Sequence, residues 1–111
     1  MNQSGQQLAR EGAARAAEKA DRMSPDWSEL ALKAVRDYAL THDEFTTEDV
    51  RLAAESVVPP APDARAWGHI VPLAAKWGIC SMTDRVARSK LPASHKRPLF
   101  VWKSNIYRVA A

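Results

Sequence analysis

Gly78 divides this chain into two kinds of hydrophobic pattern. Before it, Trp67, Ile70, Val71, Ala74 and Trp77 recur at helical spacing, with Arg65, His69, Pro72 and Lys76 on the other face. After it the period shortens: ICSMTDRVARS carries β-branched residues in rough alternation, and LFVWKS (Leu99–Ser104) is the clearest strand in the chain. The two segments read as an antiparallel hairpin, with SKLPASHKRP as its long connection. Helices followed by a hairpin make the expected fold class α+β, mainly α.

Upstream of that switch the helix signals are local and physical. Ser24-Pro25-Asp26 reads as a start, with a capping serine, proline in the first turn and an acid near the positive helix end. Trp27, Leu30, Ala31, Ala34, Val35 and Tyr38 follow at helical spacing. FTTEDV opens the next helix: Thr46 caps, Asp49 answers, and Phe45 and Val50 flank the cap as an apolar staple. Pro59 and Pro60 stop it. Asp63 caps the helix that ends at Gly78, and Pro72 inside it removes the bond to the Gly68 carbonyl.

Residues 4–22 also read as a helix, with Glu11 before Arg15 and Glu18 before Arg22 in the favourable order for surface pairs. Its apolar residues are nearly all alanine, with Leu8 the exception. Such a helix has good propensity and little to bury. Two readings of it are an extension that frays and an arm that packs on a second copy, giving a homodimer. The expected organisation is an arm over residues 1–23 and a domain over residues 24–111.

Charge is unevenly placed along the chain. Residues 1–56 hold 7 Lys and Arg against 11 Asp and Glu, whereas residues 57–111 hold 9 against 2. From Arg85 onward there are seven basic residues and no acid. A basic end of this kind suggests a polyanion partner. The lone Cys80 cannot form an internal disulfide or a zinc cage, and reads as a small buried hydrophobe. No apolar run is long enough to span a membrane, and no apolar core of a signal peptide opens the chain, so a cytoplasmic setting is expected.

Three helices and then a hairpin with a long basic loop resemble a winged helix-turn-helix domain, over roughly residues 25–108. The block AWGHIVPLAAKWGI followed by SKLPASHKRPLFVWKS is also similar to small winged-helix proteins of bacteriophages and prophages. The resemblance implies double-stranded DNA as partner, in transcription regulation or DNA replication, within a bacterial host cell. It maps the second helix to Thr47–Val57, the groove-entering third helix to Ala64–Trp77, and the wing tip to Leu91–Pro98. Two departures stand out: the VPPAP turn is long and proline-rich for a helix-turn-helix, and Pro72 lies within the recognition helix.

On that mapping Arg65 and His69 are the residues placed to meet base edges, Arg65 through two hydrogen bonds to guanine. Lys76, Arg88, Lys90, Lys96, Arg97 and Lys103 would contact phosphates, with His95 beside them in the wing. The tryptophans Trp27, Trp67, Trp77 and Trp102 fit core packing better than base stacking. His42, His69 and His95 lie in different segments without metal-ligand spacing. No nucleophile motif or phosphate-cradling loop occurs, so neither an enzyme nor a cofactor is expected. A protein-interaction adaptor that does not bind DNA is the alternative, with the acidic first half and the alanine-rich helix as its working surface.

Overall fold

The computed structural model describes residues 5–91 and 98–108. In chain order it comprises α1 (Gly5–Met23), α2 (Trp27–Thr41), β1 (Glu44–Phe45), α3 (Thr47–Ala54), a 3-10 turn (Ala64–Ala66), α4 (Trp67–Lys76), β2 (Cys80–Arg88) and β3 (Pro98–Ser104). The architecture is therefore α+β with the element order of a winged helix: helices, a short strand, two more helices, and a hairpin.

The core follows the periodicities. α2 buries Trp27, Ala31, Val35 and Ala39 at four-residue spacing, and α4 buries Trp67, Ile70, Val71 and Ala74. The two indoles meet edge to face, 5.4 Å between centroids at 74°. The Trp27 Nε1–H donates to the Pro59 carbonyl at 2.9 Å, so its one polar group is satisfied in the core. The Thr46 capping box forms as the sequence predicts: the Asp49 amide donates to Thr46 Oγ1 at 3.1 Å, and the Thr46 amide to Asp49 Oδ2 at 2.9 Å. At the end of α4, Gly78 (φ +81) takes the left-handed position. The Ile79 amide reaches the Ala74 carbonyl at 3.1 Å and the Gly78 amide that of Ala75 at 3.0 Å, which is the Schellman pattern.

Three expectations need correction. The first concerns α1. It is not left without a surface to cover: Ala13, Ala16, Ala17 and Ala20 are buried, packed in cis against the 3-10 turn, α4 and α2. Small side chains allow this close approach. A β-carbon placed on Gly68 of α4 would lie 3.6 Å from that of Ala13. The alanine face offered for a second copy is thus spent within the chain.

The second concerns the start of α2. Ser24 does not cap it; the helix begins at Trp27, after Asp26 in a left-handed conformation (φ 68) that Asp tolerates better than most residues. The cap comes from α1 instead: Asp21 accepts from the Ser28 amide and the Ser28 hydroxyl, each at 2.8 Å.

The third concerns Trp77. It is 73% exposed, not buried with its neighbours. Ten residues beyond Trp67 a helical position points about 80° off the starting direction, and Trp77 already lies past the last helical residue.

The strands form one antiparallel sheet in the order β1-β3-β2. β1, two residues long, pairs Glu44 with Lys103 and Phe45 with Trp102. The hairpin pairs Cys80 with Ser104 at its base and Arg88 with Pro98 at its loop end. Between Met82 and Val86 the register shifts, and the Thr83 hydroxyl donates to the Val101 carbonyl at 2.7 Å across the irregularity. Ser104 ties the sheet to α2: its buried hydroxyl donates to the Ala39 carbonyl at 2.6 Å, and its amide to Asp43 at 2.7 Å.

Candidate nucleic-acid interface

A cleft of about 450 Å³ opens where α1, the start of α3, the 3-10 turn, α4 and the loop end of β3 converge. Buried Trp67 and Trp102 form part of its apolar lining, while Arg10, Arg51 and Arg65 bring charge to it from three different elements. Pro98, Leu99 and Phe100 supply the hairpin side, and Phe100 is 49% exposed.

Arg65 sits in the 3-10 turn ahead of α4 and is held by Asp63. Its Nε and Nη2 donate to Asp63 Oδ2 at 2.9 and 2.7 Å, and its amide donates to Oδ1 at 2.9 Å. The hydrogen bonds from Arg65 keep the Asp63 carboxyl below its ordinary range. Along α1 the guanidinium passes close to the backbone: Nη1 lies 3.4 Å from where a β-carbon on Gly12 would be. Arg65 thus faces the cleft with part of its donor fork engaged.

The other sequence-assigned residues divide into groups. Half-buried His69 and exposed Lys76 share the outward face of α4, seven residues apart. Arg88 ends β2, and exposed Lys90 follows it at the root of the loop. Lys103 lies at the opposite end of β3, beside Ser81 and Glu44. It lies five positions along the strand from Pro98, roughly 17 Å, so it is far from the loop end of the hairpin. His95, Lys96 and Arg97 lie outside the described residues.

The loop root is fixed by Glu48, a residue that sequence reasoning passed over. Its carboxylate, from the first turn of α3, is only 6% exposed. Ser89 Oγ donates to Oε2 at 2.5 Å and the Lys90 amide to Oε1 at 3.0 Å, while the Leu91 amide closes onto Ser89 Oγ at 3.2 Å. Both carboxylate oxygens are thereby engaged, as burial of a charge requires. No local signal marks Glu48, because its partners are 41 and 42 residues away. Arg10 and Arg51 were missed for the same reason: each reads as an ordinary surface cation on its own helix.

Among the described residues no group of three or more His, Cys, Asp or Glu is placed to hold a metal ion, and no helix is long and apolar enough to cross a membrane. Cys80 is buried, its Sγ–H directed at the Val71 carbonyl at 3.8 Å, and burial pushes its thiol up to about 11. A thiol so protonated is a poor nucleophile.

Fold and cleft together define an α+β domain with a winged-helix order of elements and an arginine-lined cleft at the hairpin root. No family model, curated protein or solved structure matches the chain.

Proposed function

We propose that this protein binds double-stranded DNA, with the hairpin loop on the phosphate backbone and α4 turned toward a groove. The observation that carries the reading is the convergence of Arg10, Arg51 and Arg65 on one cleft whose hairpin side leads into the basic loop. The outward face of α4 offers His69 and Lys76 as donors for base edges, with Pro72, which can donate nothing, between them. α1 already lies against Gly68 in the first turn of that helix. Affinity on this reading comes mainly from phosphates, and sequence discrimination is modest. A role in regulation or replication-region binding, in a phage or prophage setting, is what the winged-helix resemblance adds.

Fluorescence anisotropy on labelled duplexes across a salt series tests it. Lys96→Ala with Arg97→Ala is expected to weaken binding on all sequences alike and to flatten the slope of log affinity against log salt by about 1.8. Absence of duplex binding by the unaltered protein at low salt overturns the reading.

The adaptor reading has one observation in its favour. Met82, Val86 and Phe100 on the hairpin are each about half exposed, and Trp77 beside its base more so. Large apolar side chains on a small surface suit a protein partner. It is the reading that survives if duplex binding fails.

A further inference from the structure

Resting on the DNA-binding reading, we propose that the cleft at the hairpin root takes an unpaired nucleotide, so that the preferred ligand is duplex DNA carrying a single-stranded end. The size of the cleft points this way. About 450 Å³ falls among pockets for single small ligands, roughly 300–1,000 Å³, and is far too small for both strands of a duplex.

Charge in the cleft fits a phosphate. Three arginines face two carboxylates there, but the carboxylates are already engaged: Asp63 by Arg65, and Glu48 by Ser89 and Lys90. Among the described residues Arg10 and Arg51 form no ion pair. They are therefore the cations left to meet an incoming anion, one from α1 and one from α3.

The apolar side of the cleft fits a base. Phe100 lines it yet stays half exposed, with half-buried Leu99 and Pro72 nearby. An exposed aromatic ring next to arginines is the arrangement that stacks single-stranded bases while holding their phosphates. The tryptophans do not serve this purpose, since Trp67 and Trp102 are buried. An acidic peptide with an aromatic side chain answers the same charge. The nucleotide is favoured because the hairpin residues of the cleft, from Pro98, are continuous in sequence with a stretch that holds Lys90, Lys96 and Arg97 and no acid.

The test compares four labelled DNAs by anisotropy: a blunt duplex, the same duplex with a short oligo-dT overhang, one with an abasic overhang, and the single strand alone. The full-length protein is expected to bind the dT overhang on the order of tenfold tighter than the blunt end, with the abasic overhang close to the blunt end. Phe100→Ala should abolish that preference, bringing the dT-overhang and blunt duplexes to the same affinity, and Phe100→Trp should retain it. Arg10→Ala with Arg51→Ala should lower the salt slope for the single strand by about 1.4.

Equal affinity for blunt and overhang duplexes overturns the inference and leaves the duplex-binding reading standing. So does a preference that survives the abasic overhang or Phe100→Ala. No binding to any of the four DNAs removes both. Saturable binding of a Glu-rich peptide bearing one Trp, lost in Arg10→Ala with Arg51→Ala, assigns the cleft to a protein partner instead.

Discussion

The seam between α1 and α4 and the hairpin beyond its base invert what their side chains promise. α1 offers almost nothing but methyl groups, yet Ala13, Ala16, Ala17 and Ala20 are buried to 6% exposure or less. The hairpin carries Met82, Val86 and Phe100, yet leaves them about half in water. The difference teaches that burial depends on whether a partner surface can come close, and on side-chain size only secondarily. Alanine and Gly68 let two helix backbones approach until a β-carbon added at Gly68 would lie 3.6 Å from that of Ala13. The hairpin meets the core only near its base, through Trp102 and Ser104; Met82, Val86 and Phe100 share that face by their pairing, yet no helix comes close enough to cover them.

Removing α1 is the strongest way to break this comparison. Deleting residues 1–22 takes away four buried methyl groups at about 0.8 kcal/mol each and the Asp21 cap on α2, worth about 1 kcal/mol. The expected loss is about 4 kcal/mol, read as a lower midpoint in urea. An unchanged midpoint would mean that α1 is an appendage after all. Ala17→Leu sharpens the point, because it keeps the helix and overfills the seam; about 1–3 kcal/mol should be lost.

Glu48 lies between the two regions. Glu48→Ala leaves the Ser89 hydroxyl and the Lys90 amide without their acceptor, for a cost of about 1–3 kcal/mol. Its second readout is local: hydrogen exchange at the amides of Lys90 and Leu91 should accelerate more than exchange in α2. Uniform acceleration through the whole chain would show Glu48 to be a general stabiliser, not the anchor of the loop root.

The smallest effect is expected on the exposed side. Trp77→Ala should shift stability by no more than about 0.5 kcal/mol, because the side chain has little surface to lose. A large drop in melting temperature would place Trp77 in a contact that this fold does not contain, such as one with a second copy.

Much of the fold was legible because its signals are short-range. The capping box at Thr46, the staple of Phe45 and Val50 and the glycine turn at Gly78 each act within about one helical turn, whereas α3 ends at Ala54, ahead of the expected stop at Pro59-Pro60. The hairpin announced itself through a change of period. β1 did not, since two residues are too few to show alternation, and its pairing partner lies at Lys103 and Trp102. The site was less legible. Its basic character could be counted along the chain, but the cleft draws on α1, α3, the 3-10 turn, α4 and β3, and no sequence window spans them.

The sequence by itself determined the succession of helices and strands and the basic second half, because propensity, capping and period are properties of neighbouring residues. Tertiary structure alone decided that an alanine face would be covered, that Trp77 would stand in water and that Glu48 would fasten the loop root. Each of these turns on which surfaces come within a few ångströms of one another. That is settled by how the packed elements together exclude water and satisfy buried polar groups, and not by any segment alone.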